Sequence, residues 1–200
     1  MAQPAFPEPP LPRDQHDDIV LLRGATWSDY QRVLAIRGDE PVPRLTFLEG
    51  VLELTSPSKS HEGIKSVLGC LVEAWCVEKG IDITPFGSWT LEDAAVERAA
   101  EADECYVVGD CEAERPDLAI EVVWTSGGVN KLEVYRKLRV REVWIHQKGA
   151  LKLFKLQGER YEPLAASEVL AGIDHDLLCK FVMIRPMTKA VRAFREALLG

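Results

Sequence analysis

No run of uninterrupted apolar residues in this chain approaches the ~20 needed to span a bilayer, and no basic-then-apolar segment opens it as a secretory signal would. Cysteine is sparse, five residues in 200, and no two have the two-residue gap of a zinc knuckle or a redox motif. The sequence therefore predicts no disulfide and no structural zinc, and it makes Cys70, Cys76, Cys105, Cys111 and Cys179 packing residues. Positive charge is short as well: 24 lysines and arginines stand against 32 aspartates and glutamates, a formal net charge of -8. Such a chain has no global basic field with which to grip phosphates. A nucleic-acid role would need a local patch and a cation, while simple solubility accounts equally well for an acidic balance. Internal repeats and a helix-turn-helix reading module are also missing. The expectation left by these absences is a soluble, cytoplasmic protein with no membrane partner.

What is present is ordinary for a globular chain: 46% hydrophobic and 8% aromatic residues, enough to bury one sizeable core. Residues 1–17, with Pro4, Pro7, Pro9, Pro10 and Pro12 and then acidic residues, read as a flexible tail. Residues 18–200 read as a single domain that closes with C-terminal helices. Trp27, Tyr30, Val33 and Leu34 recur at helical spacing before Gly38, and Glu49-Gly50 joins two apolar segments as a tight hairpin turn. The longest helix is expected from an N-cap at Ser60 to Lys79, with His61 extending a stripe of Ile64, Val67, Leu68, Leu71, Val72, Trp75 and Cys76. Strands are expected around 82–91 and 105–108, separated by a polar, alanine-rich segment. Further strands follow at 116–124, 143–145 and 151–156, the last as the outer member of an antiparallel pair. A helix reaches Leu138, and short helices cover 174–181 and 188–198. This alternation specifies an α/β or α+β fold with a mixed central sheet.

The segment Pro116–Trp124 carries the most information. At period two, Leu118, Ile120, Val122 and Trp124 make one apolar face, and Asp117, Ala119, Glu121 and Val123 make the other. Glu121 thus lies in the middle of the strand most apt to be central, where an ionised carboxylate costs several kcal/mol unless a cation or hydrogen bonds compensate it. A structural ion pair would do so; so would a metal site. Asp103, on the approach to the preceding strand, is the natural companion, because neighbouring strands lie about 4.8 Å apart. Asp117 lies roughly 13 Å from Glu121 along the same strand, which suits either a supporting group or a residue that ends the strand. Lys131 shares a helix face with Val134, Tyr135 and Leu138, so a stripe packed on the sheet carries its ammonium toward the carboxylates. A lysine that buries its stem and keeps its head in water fits the same pattern. Ser126-Gly127-Gly128 opens this helix with backbone amides that could receive a phosphate. Arg136, Lys137, Arg139 and Arg141 form the dense basic cluster, either a solvated helix end or a phosphate-tracking surface.

Asp103, Glu121 on the next strand and a following lysine resemble the PD-(D/E)XK nuclease superfamily. More narrowly, Arg115-Pro116-Asp117 through Glu121-Val122, then Asn130-Lys131-Leu132-Glu133-Val134-Tyr135 and Val140-Arg141-Glu142-Val143-Trp144, resemble the Uma-type restriction endonucleases. The likeness includes the Glu49-Gly50 hairpin and Ser56-Pro57-Ser58 with His61, and it spans about residues 25 to 182. It implies a restriction-endonuclease-like core, a mixed sheet flanked by helices, and a Mg2+-dependent endonuclease (Mn2+ substituting) that hydrolyses DNA phosphodiesters with activated water. Carried onto this chain, Asp103 and Glu121 would hold the metal, Lys131 would stabilise developing charge, and Asp117 and His61 complete the catalytic set. The chain departs from the pattern at Val123, which holds the position two after Glu121 where the superfamily places its lysine. It departs again at Ala102, where a proline would precede the first acid, so Asp103 and Asp117 compete for that role. DNA is the expected partner, a homodimer would supply two cuts, and the alternative is a non-catalytic binding or assembly module with a residual acidic pocket.

Overall fold

The structure, a computed structural model, describes residues 16–109 and 112–199. In chain order the elements are β1 (Asp18–Arg23), α1 (Trp27–Arg37), β2 (Arg44–Leu48), β3 (Val51–Ser56), α2 (Lys59–Lys79), β4 (Ile83–Pro85), β5 (Thr90–Asp93), β6 (Arg98–Glu101), β7 (Glu104–Val108) and β8 (Leu118–Val123). The chain continues with α3 (Lys131–Lys137), β9 (Glu142–Gln147), β10 (Ala150–Gln157), β11 (Arg160–Leu164), α4 (His175–Phe181) and α5 (Met187–Leu199). Most follow from the local signals. Thr26 caps α1 in a reciprocal capping box with Asp29, and Gly38 ends it. Glu49 and Gly50 both take positive φ, 48° and 78°, which the two-residue turn between β2 and β3 requires.

The strands form two sheets. One runs β1-β3-β2-β6-β5, and the other β11-β10-β9-β8-β7-β4. Every pairing is antiparallel except β8 with β9, and that parallel pair is joined through α3, the crossover helix that such a connection needs. The three cores define the layers. α1 covers the outer face of the first sheet through Tyr30, Leu45, Phe47, Leu52 and Ala99. Between the sheets, Val134 and Tyr135 of α3 pack on Ala100, Ala119 and Val143. On the far face of the second sheet, the predicted stripe of α2 meets Leu118, Ile120, Val122 and Trp144, with Leu178 and Phe194 from the last two helices. The architecture is thus mixed α/β, one antiparallel and one mixed sheet with helices on their faces, and β8 is interior to the mixed one as expected.

Five expectations change. The strand expected around 82–91 is two, β4 and β5, which belong to different sheets. The N-cap of α2 is Ser58, whose side chain accepts from the His61 amide, not Ser60. The alanine-rich segment holds a strand, β6, which pairs with both β2 and β5. β10 is not an outer strand, because β11 pairs along its other side. The proline-rich stretch 1–15 lies outside the described residues, but Asp17, placed in the tail, is buried and bonded to α2. Cys76 and Cys105 are buried, and the described cysteines are free thiols; Cys111 lies outside the described residues. Among the described residues no helix is long and apolar enough to cross a membrane.

Candidate active site

Where the two sheets and α3 meet, a cavity of about 270 Å³ is lined by Arg44, Glu53, His61, Asp103, Glu121 and Lys131, with the 125–129 loop as one wall. The elements aim these side chains by simple periodicity. In β2, Leu45 and Phe47 enter the core under α1, which turns Arg44 and Thr46 the other way; in β3, Leu52 does the same for Glu53. β8 buries Leu118, Ile120 and Val122 against α2, so Glu121 points to the opposite side, toward α3.

Asp103 sits between β6 and β7 and is nearly sealed, 3% exposed. Its Oδ2 accepts from the Val122 amide at 2.7 Å, an extra rung fixing it to β8. Its Oδ1 takes the Arg44 guanidinium and lies 3.0 Å from His61 Nε2, which is off the line of a proper hydrogen bond. Burial raises the cost of its charge, but His61, Arg44 and the Val122 N–H together outweigh it and hold the Asp103 carboxyl below the usual range. His61 is clamped from both sides, with Asp17 Oδ2 3.1 Å from Nδ1. Burial works against the imidazolium; the contacts and charges of Asp103 and Asp17 prevail and raise its pKa to about 9.

Glu121 is the opposite case. It accepts from the Tyr135 hydroxyl, yet burial pushes its pKa up to about 7; the Lys131 charge resists the rise and the nearby Asp103 adds to it. Two carboxylates thus share one cavity with their acidities driven apart, the pattern by which environments assign different roles to chemically similar groups. Lys131 Nζ donates to Thr46 Oγ1 at 2.7 Å and lies 3.9 Å from Glu53 Oε1. Its nearest carboxylate is thus Glu53, and it acts on Glu121 through its charge; Val134 and Tyr135 of the same helix stripe are fully buried.

Of the five predicted site residues, Asp103, Glu121, Lys131 and His61 line the cavity, and Asp117 does not. Asp117 stands at the other end of β8, roughly 13 Å along the strand, where its Oδ2 accepts from the Val108 amide at 3.0 Å. That contact makes it a strand-end residue, and of the two acids only Asp103 lines the cavity. Past the Ser126-Gly127-Gly128 turn, two of the amides that lead into α3 are already engaged: the Val129 amide donates to Glu53 Oε2 at 2.6 Å, and the Leu132 amide to Asn130. Arg136, Lys137 and Arg139, at the far end of α3, converge on Glu159 as a surface ion cluster.

The residues missed are Asp17, Arg44, Glu53 and Glu101. Glu53 carried the same signal as Glu121, a carboxylate between leucines in an apolar strand. Glu101 is spoken for by Arg37 at 2.7 Å, the Leu45 amide and Thr90, and is a structural group. Among the described residues no three His, Cys, Asp or Glu side chains form a group that could hold a metal ion. Were a divalent cation held here, Asp103 and Glu121 would be its carboxylates, and water and substrate oxygens would complete its shell, as magnesium commonly keeps several waters. Glu121 is a buried carboxylate, the donor type such a cation takes, whereas Asp103 already meets Arg44, His61 and the Val122 amide.

The family model described as "Uma2: Putative restriction endonuclease" matches residues 27–179 of this chain. No curated protein matches it. A crystal structure of a "putative nuclease belonging to DUF820" from Anabaena variabilis aligns over 80% of this chain and 96% of its own, at 13% identity and a TM-score of 0.45.

Proposed function

The chain belongs to the Uma2 family, described as "Putative restriction endonuclease", and from that premise we propose that it is a metal-dependent endonuclease hydrolysing DNA phosphodiesters at the Asp103–Glu121–Lys131 cavity. Family membership supports a nuclease function. The observation that carries the finer reading is Glu121, a buried carboxylate with raised pKa that lines one cavity with an anionic Asp103 and a lysine. Mg2+, or Mn2+ in its place, bound by Asp103 and Glu121 would supply a Lewis acid that polarises the phosphoryl group.

The chain's own groups do the rest. Asp103 is held anionic by Arg44, His61 and the Val122 N–H, so it enters binding already charged and oriented. The Tyr135 hydroxyl fixes the Glu121 rotamer. Lys131, located by Thr46, stabilises negative charge that develops on the phosphoryl oxygens as the P–O bond breaks. Two adjacent acidic groups repel a polyanion until a cation joins them, which agrees with a chain of net charge -8.

Supercoiled plasmid and linear duplex incubated with the protein and Mg2+ or Mn2+ test this reading. Cleavage by the wild type, lost in Glu121→Gln and Asp103→Asn, is the expected result. A second reading has one observation in its favour: the Arg44–Asp103 ion pair already neutralises the first acid, as a non-catalytic binding module would require. Retained DNA binding without cleavage under every cation condition selects that alternative.

A further inference from the structure

A second cleft, of about 590 Å³, lies along the N-terminal end of α2, with Lys59, Glu62, Gly63, Trp124, Met183 and Arg185 among its walls. Its size is that of a small-ligand site. Two large apolar side chains stay at the surface here, Trp124 at 41% and Met183 at 56% exposure. The cleft adjoins the candidate active cavity on two counts. Trp124 leads directly into the 125–129 loop that walls that cavity. Glu62, which lines the cleft, accepts from Arg44, which lines the cavity, at 2.5 Å.

Charge singles the cleft out further. Among the described residues neither Lys59 nor Arg185 forms an ion pair; Arg185 Nη1 donates to the main-chain carbonyls of Val182 and Ile184, at 2.8 and 3.1 Å. The one carboxylate, Glu62, is met by Arg44 and by Lys65 at 3.5 Å. The cleft therefore presents surplus positive charge on an acidic protein, next to an indole. Those two features together are the chemistry of strand binding: aromatic faces take bases irrespective of sequence, and cations take the phosphates between them. A duplex keeps its base faces stacked on one another, so the indole fits an unpaired base.

We propose that this cleft is a nucleotide subsite of the nuclease, in which an unpaired base stacks on Trp124 while Lys59 and Arg185 contact the adjoining phosphates. It deepens the nuclease reading, on which it rests for the course of the strand toward the cavity. Binding is nevertheless measured apart from cleavage.

The test is fluorescence anisotropy of a labelled 12-nucleotide single strand, in deoxy and ribo forms, titrated with the full chain in EDTA at several salt concentrations. The wild type binds, and Trp124→Ala weakens binding roughly tenfold, an ordinary loss for one stacked base. Trp124→Phe, which keeps a ring, restores most of the loss. Lys59→Ala combined with Arg185→Ala lowers the salt slope by about 1 to 1.5, as two lost phosphate contacts should. Because both cations are exposed, this pair keeps the test decisive even if Trp124→Ala fails to fold. The form bound more tightly identifies the sugar preferred. Variants that bind like the wild type, binding confined to duplex, or no binding at all overturns the subsite. Cleavage by the wild type with unaltered variant affinity removes the subsite and leaves the nuclease. Trp124-dependent binding without cleavage does the reverse.

Discussion

Glu53 Oε2 accepts the Val129 amide proton at 2.6 Å, tying the first sheet to the loop that leads into α3. Because Glu53 also lies 3.9 Å from the Lys131 ammonium, one carboxylate fixes both the loop and the lysine of the candidate site. The same carboxylate leaves no room at Gly128: a Cβ there would stand 2.5 Å from Oε2. An added side chain at Gly128 would thus have to move the Glu53 carboxylate off the Val129 amide, while the backbone conformation there is open to any residue.

Gly128→Ala should therefore displace Glu53 and destabilise the protein by about 1–3 kcal/mol, the range for overpacking. In a Glu53→Ala background the same change should cost much less, since the clashing atoms are gone. Urea unfolding of the four proteins reads the coupling; additive costs would contradict the contact.

His61 gives a pH dependence. Its folded pKa, about 9, lies above the ordinary 6.5, so its contribution is fully present below about 6.5 and is lost as pH rises through about 9. Asp17 and Asp103, whose carboxyls are held below the usual range, stay ionised across this window and leave the sign unchanged. His61→Gln leaves Asp17 and Asp103 buried without their shared cation and should cost about 2–4 kcal/mol at pH 6. The gap between wild type and variant, measured in EDTA by urea unfolding, should narrow steadily from pH 7 to 10. A constant gap would show that the imidazolium is not what binds the two acids.

Lys131→Met keeps the stem that packs at the head of α3 and removes the charge. Cleavage should fall on the order of 100-fold or more, as loss of an electrostatic stabiliser does, while circular dichroism shows the variant still folded. Equal activity in the variant would take Lys131 out of the chemistry.

Asp117→Asn separates the two acids that compete for the first motif position. An asparagine oxygen can still accept the Val108 amide proton, so stability should shift by less than about 1 kcal/mol, with cleavage unchanged. Activity lost at Asp117 but kept in Asp103→Asn would reverse the assignment.

The parts of the site legible in the sequence were those with a local contradiction. Glu121 is a carboxylate within an apolar strand, and Lys131 a lone cation on an apolar helix stripe; both signals survive without knowledge of the partner. Glu53, between Leu52 and Leu54, and Arg44, one position before Leu45 on a strand, carried related signals of equal strength. Asp17 carried none, because only the pairing of β1 with β3, Asp18 opposite Ser56, brings it to Ser58 and His61. The strand β6 was hidden for a different reason. Its sequence, Arg98-Ala99-Ala100-Glu101, lacks the branched and aromatic residues that favour strands, and it is extended because β2 and β5 pair on both sides of it. Its alanines are fully buried, which makes their small size a packing requirement. At Ser58 and Ser60 the local pattern allows either cap, and boundaries of this kind drift by a residue or two.

The account turns on Glu121 as a cation ligand in the sheet, and calorimetric titration of the purified protein with Mn2+, alongside Glu121→Gln, tests it most directly. The account predicts binding by the wild type that vanishes in the variant, with the variant at least as stable, since a neutral amide removes a carboxylate that burial disfavours. Equal Mn2+ binding by both proteins, or none by the wild type, would contradict it.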